Sequence, residues 1–238
     1  MKKLFKGFSL IEMLLTLAIM SIVFLLTTKT LATIVKVSTI TNYKTATRVE
    51  ADFAMELMER FLSNSKIDDM NIYDTQECRI YIYDEEEDQM EMRISDSCTQ
   101  AELDNQYSSP MNIGLTGNEV HIRLSGYDQL TCIAFFKEDP EEDSSKGYLL
   151  KRTVDFGDDN NPDECFEFAS FSDPIIVLNA EEINVNDFKV SYAQSESSNN
   201  IFYVDLEMEP LFWAPGESNI ERSVIRQSIV STQGLTWY

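Results

Sequence analysis

Residues 7–28 read GFSLIEMLLTLAIMSIVFLLTT: a glycine, a phenylalanine, then an apolar run broken by one carboxylate, Glu12. At about 1.5 Å per residue, Phe8 to Thr28 spans roughly 30 Å as a helix, the thickness of a bilayer core. A carboxylate near the start of such a helix costs on the order of a few kcal/mol unless it has a partner or a purpose. Ahead of the run, MKKLFKG is a short basic leader that stops at a small residue. A secretory signal places its small-residue cleavage site after the apolar region. Here the small residue comes before it, so a cut at Gly7 discards Lys2, Lys3 and Lys6 and leaves the apolar segment on the mature chain. As an uncleaved anchor, the same lysines would hold the N-terminus in the cytoplasm. That reading gives Glu12 no task.

The stretch Lys6-Gly7-Phe8-Ser9-Leu10-Ile11-Glu12 resembles the class III signal of type IV pilins and pseudopilins. The resemblance implies that a membrane aspartyl peptidase, the prepilin peptidase, cuts between Gly7 and Phe8 and methylates the new amine of Phe8. It implies that Glu12, the fifth mature residue, pairs with the N-terminal amine of a neighbouring subunit during assembly. Other pilin or pseudopilin subunits, an inner-membrane assembly platform and membrane lipid are then the implied partners. The implied location is the cytoplasmic membrane, single-pass with the N-terminus inside, and an extracellular or periplasmic filament after assembly.

No glycine follows Gly7 until Gly114 and no proline occurs before Pro110, so nothing forces an early helix break. From Thr41 the pattern turns amphipathic. Val49, Phe53, Leu57 and Phe61 recur at i+4 beside Ala54, Met58 and Leu62, a stripe expected to bury itself against a sheet. The expected organisation is a leader over 1–7, an N-terminal helix over 8–65 (8–28 transmembrane, 29–65 extending into the head), and an extracytoplasmic β-rich head over 66–238. Lys29 sits where its stem can snorkel to the outer interface.

Beyond the helix the sequence reads as strands. Arg79 to Tyr83, Met90 to Ile94, Glu119 to Leu124, Leu130 to Phe136, Tyr148 to Phe156, Asp187 to Ala193, Ile201 to Met208 and Ser223 to Ser231 are the candidates. One long helix and then strands predicts an α+β fold, the helix packed on a mostly antiparallel sheet. The order of the later segments, Ile175 to Leu178, Glu182 to Tyr192, Val204 to Met208 and Arg222 to Arg226, is similar to that of larger J-type minor pseudopilins and minor pilins. The resemblance implies a pilin-like architecture.

The formal net charge is −22, and loss of the leader lysines takes it to about −25. That charge repels nucleic acid and anionic lipid heads, so neither is an expected partner of the head. All four cysteines, Cys78, Cys98, Cys132 and Cys165, follow the apolar segment, and none lies in a CxxC or Cys/His motif; an even count beyond a membrane segment predicts disulfides. Strands at 79–83 and 90–94 around the acidic turn Asp84 to Asp88 bring Cys78 opposite residue 96 or so, within bridging range of Cys98. The expected pairs are Cys78–Cys98 and, by elimination, Cys132–Cys165.

Sequence motifs of catalysis are missing, and no enzyme activity or cofactor is expected. His121 is read as a solvent-facing strand residue. Asp155, Asp158, Asp159 and Asp163 concentrate oxygen ligands suited to calcium but miss the EF-hand spacing, and a solvated acidic loop is the preferred reading. No other metal site is expected. Leu211-Phe212-Trp213 and Trp237-Tyr238 either form a partner patch or fold back on the head. The expected role is a minor pilin or pseudopilin subunit, with size favouring the filament tip. The machine is a type IV pilus, a type II secretion system or a competence apparatus. The alternative is a surface-displayed binding module on the same helix, an adhesin or a receptor for cargo or DNA.

Overall fold

The computed structural model describes residues 9–75, 78–84, 89–107, 116–124, 129–139, 145–155, 165–166, 175–194, 200–211 and 222–232. They fall in two units that meet between residues 43 and 44. A single helix, α1 (Leu10–Ser63, 54 residues), supplies the first unit and the opening of the second.

The second unit is α+β. Its strands are β1 (Ser65–Tyr73), β2 (Arg79–Asp84), β3 (Gln89–Ile94), β4 (Thr116–Gly117), β5 (Glu119–Leu124), β6 (Gln129–Lys137), β7 (Gly147–Asp155), β8 (Ile176–Val177), β9 (Ile183–Gln194), β10 (Asn200–Pro210) and β11 (Val224–Thr232), with a short helix α2 (Gln100–Tyr107) after β3. One sheet runs β1-β5-β6-β2-β3, with β7 also on β6 and β8 on β7; the other runs β11-β10-β9-β4. Among the described residues, pairing is antiparallel except for one parallel bridge, Ile80 with Lys137.

The main core lies between α1 and both sheets. Ala51, Ala54, Met55, Met58 and Leu62 of α1 pack with Ile72, Val120, Ile122, Phe135, Leu149, Phe188, Phe202 and Leu206. Of the expected stripe, Ala54, Met58 and Leu62 are buried in the core and Leu57 and Phe61 pack partly against it, whereas Val49 and Phe53 are 62% and 52% exposed. Two small side chains at Ala51 and Ala54 let the helix approach the sheets closely, which rotates the larger i+4 residues outward. On one flank Asp52 accepts from Arg226 Nε at 2.5 Å, and Ser228 donates to Glu59. The Arg226 hydrogen bond holds the Asp52 carboxyl below its ordinary range.

β9 changes inward parity along its length. Ile183 and Val185 point to the core, as do Phe188, Val190 and Tyr192. The switch falls at Asn186, because Glu207 pairs with Asp187 and Met208 with Val185, leaving Asn186 unopposed as a bulge. Where β7 meets β9, asparagine side chains replace ladder bonds. Gly147 N donates to Asn184 Oδ1 (2.6 Å), Leu149 N to Asn179 Oδ1 (2.9 Å), and Asn179 Nδ2 to the Ile183 carbonyl (2.7 Å). The backbones touch there: a Cβ on Gly147 would overlap the Val185 carbonyl oxygen. Gly147→Ala is expected to lower head stability by about 1–3 kcal/mol, read as a lower denaturant midpoint at unchanged slope.

β6 is buried from Thr131 to Phe136 because the first sheet is covered on both faces. Opposite α1, Ala134, Phe136, Leu150 and Val154 pack with Phe166, Tyr81 and Met92, and Leu103 and Tyr107 of α2 close a third cluster with Tyr73 and Cys78. Thr99 and Glu102 cap α2 reciprocally: Thr99 N donates to Glu102 Oε2 at 2.8 Å, and Glu102 N to Thr99 Oγ1 at 3.3 Å.

Candidate functional site

The N-terminal site is built from a helix start. Ser9 precedes α1, and its carbonyl accepts from the Glu12 and Met13 amides at 3.0 and 3.2 Å. Glu12 turns back so that its Oε2 accepts from the Ser9 amide at 2.9 Å. Ser9-x-x-Glu12 thus has the carboxylate arm of a capping box, with negative charge at the positive end of the helix. The other oxygen, Oε1, has no partner among the described residues and remains available to a second donor. Gly7 and Phe8, the expected cleavage and methylation positions, lie outside the described residues.

Behind Glu12 the helix is bare. Leu10, Leu14, Leu17, Val23, Phe24, Leu31 and Val35 are all more than half exposed, and the most apolar window of α1 has no buried residue. The hydroxyls in this stretch satisfy themselves along the helix: Ser21 donates to the Leu17 carbonyl, Thr27 to Val23, Thr30 to Leu26 and Thr33 to Lys29, at 2.7–3.0 Å. Polar groups so arranged need no water, which suits a lipid or protein surround. Membrane anchoring is what the apolar helix supports.

The expectation for His121 is corrected. It is fully buried, as is Glu119, on the face of β5 that a second layer covers. His121 Nε2 lies 2.6 Å from Glu119 Oε1; Thr75 Oγ1 donates to Glu119 Oε2 at 2.5 Å, and the Tyr107 hydroxyl reaches both oxygens at 3.0 Å. Burial alone would push the Glu119 carboxyl up. The hydrogen bond and charge of His121, the Arg79 guanidinium and the Thr75 hydroxyl together outweigh it and hold Glu119 below its ordinary range. Asn118 completes the network, accepting from Thr75 N and donating to the Phe135 carbonyl, each at 2.7 Å.

Cys78 is bonded to Cys98, with Cα atoms 5.1 Å apart, and Cys132 to Cys165, 6.2 Å apart. Loss of the Cys78–Cys98 bond by Cys78→Ser with Cys98→Ser should cost roughly 3 kcal/mol for its 20-residue loop, measured as the denaturant midpoint against wild type. Of the calcium candidates, Asp155 ends β7 and its side chain is outside the description; Asp158, Asp159 and Asp163 lie outside the described residues, as do Phe212, Trp213, Trp237 and Tyr238.

Thr75, Arg79, Tyr107, Asn118 and Glu119 were not legible in the sequence as network members. The available signal was Glu119 and His121 at i, i+2, which share a sheet face.

A family model described as the prokaryotic N-terminal methylation motif matches residues 2–28. No curated protein and no solved structure matches the chain. The N-terminus thus carries the N-terminal methylation motif, the class III prepilin signal, which is consistent with a type IV pilin-like protein.

Proposed function

We propose that the protein is a minor pilin or pseudopilin subunit of a type IV filament system, placed at the filament tip. The observation that carries this is Glu12: a capped carboxylate whose second oxygen has no partner among the described residues, three residues into an otherwise bare apolar helix. Prepilin peptidase removes residues 1–7 and methylates Phe8. The helix waits in the cytoplasmic membrane, single-pass, until the assembly platform passes it into the filament, where neighbouring subunits replace lipid around residues 10–37. In that low-dielectric setting an amine on the second Glu12 oxygen favours one axial register. A head with two sheets and two disulfides, on a strongly acidic chain, supports a terminal position facing solvent, and the role needs no catalytic step.

Expression with the cognate prepilin peptidase, followed by intact mass and N-terminal sequencing, tests the first step. The expected product starts at Phe8 with one added methyl group. A product starting at Met1 removes the proposal.

A further inference from the structure

We propose that His121, Cys132 and Cys165 form a Cys2His zinc site in the chain before its Cys132–Cys165 disulfide closes. A ring nitrogen of His121 and the two sulfurs lie within 4.8 Å of one another, and all three residues are buried. The antiparallel register of β5 and β6 sets His121 directly opposite Cys132, on one face of the sheet. Glu119 engages Nε2 at 2.6 Å, whereas Nδ1 is buried with no hydrogen-bond partner among the described residues. With Nε2–H held by the Glu119 carboxylate, Nδ1 is the nitrogen that can offer a lone pair to an ion once it carries no proton. An imidazole fixed from behind by a carboxylate is the usual setting of a metal-bound histidine.

The third donor does not depend on the S–S bond for its place. Arg152 Nη1 donates to the Cys165 carbonyl at 3.3 Å, and Arg79 Nη1 to the Phe166 carbonyl at 2.7 Å. Both arginines are buried. These bonds would hold Cys165 beside His121 and Cys132 in the reduced chain. Two thiolates and an imidazole select zinc over calcium or magnesium.

Binding is balanced without electron transfer: two thiols each lose a proton, as does Nδ1 of His121 where it carries one, and the ion takes two thiolate sulfurs and one imidazole nitrogen. Every new chain passes through this dithiol state, since disulfides close only in an oxidising compartment. The ion would keep Cys132 and Cys165 together and away from Cys78 and Cys98. An oxidant of the disulfide-exchange class then withdraws two electrons from the pair, the disulfide forms, and zinc leaves.

The test uses the full chain in detergent, reduced by a phosphine without oxygen and titrated with cobalt(II) alone, with circular dichroism at each point. One cobalt per chain is expected, with a thiolate-to-cobalt charge-transfer band and tetrahedral visible bands that zinc abolishes. The Cys78→Ser, Cys98→Ser double variant should behave identically. His121→Gln should lose the bands. Glu119→Gln, which retains all three ligands, should keep the spectrum while binding about 10–100-fold more weakly. The inference is overturned by reduced wild type without the bands, by unchanged bands in His121→Gln, by wild-type affinity in Glu119→Gln, or by a signal that needs Cys78 or Cys98.

Discussion

Glu12→Ala is expected to leave membrane insertion and leader removal intact and to reduce incorporation into filaments by about a hundredfold. In the proposed assembly the carboxylate would face an amine in a low-dielectric surround, and removing one partner of such a pair leaves the other charge unpaired, at about 3 kcal/mol or more. Since about 1.4 kcal/mol is a factor of ten, the loss reaches two orders of magnitude. Glu12 also caps its own helix through the Ser9 amide, and the two roles separate with Glu12→Gln. Glutamine serves as well as glutamate at this capping position, but it carries no charge for an amine. Both variants should therefore fail alike in sheared-filament immunoblots while accumulating normally as processed protein in the membrane. Filament incorporation restored by Glu12→Gln would assign the function of Glu12 to capping and remove the pairing mechanism.

Much of the fold was legible because its signals are local. The absence of glycine and proline over a hundred residues made α1 readable, and alternation located most of the longer strands. The β2–β3 turn implied the register, which pairs Arg79 with Ile94 and brings Cys78 next to Ser95. α2 escaped, although Thr99-x-x-Glu102 with Leu103 and Tyr107 four apart was available as a capped amphipathic turn. β1 escaped for another reason: Ser65 to Tyr73 opens SKIDD, with little alternation, and becomes a strand by pairing with β5, a non-local contact. Val49 and Phe53 of α1 were misjudged because side-chain size at i+4 was weighed above the close approach that Ala51 and Ala54 permit.

The buried network was the least legible part. Glu119, His121 and Arg123 alternate with apolar residues, the pattern of a strand with one solvated face. That inference holds for β10, whose Tyr203 is 40% exposed opposite a buried Val204. It fails for β5, because α2 and the Cys165–Phe166 segment add a second layer from distant sequence. At the N-terminus no such layering intervenes, so Glu12 and its spacing could be read directly.

Glu119 carries the largest stability effect expected in the head. Its carboxylate accepts from Thr75 and Tyr107, meets His121 and lies in the field of Arg79, all in a fully buried setting. Glu119→Ala leaves those donors without an acceptor and should cost about 3–5 kcal/mol, a large part of the 5–15 kcal/mol typical of a domain. The pH dependence follows from the direction of its shift. A carboxyl held below its ordinary range in the folded state contributes fully above the unfolded value of about 4.3. It loses that contribution as pH falls from there through the lower folded value. Denaturant midpoints of the full chain in detergent, taken from neutral pH down to about pH 3, should fall more steeply for wild type than for Glu119→Gln, which has no carboxyl to protonate. The chain has 41 acidic residues whose common titration affects both proteins, so the difference between the curves isolates this one group. Parallel curves would place the acid sensitivity in the surface charge and leave Glu119 as a packed, pH-indifferent acceptor.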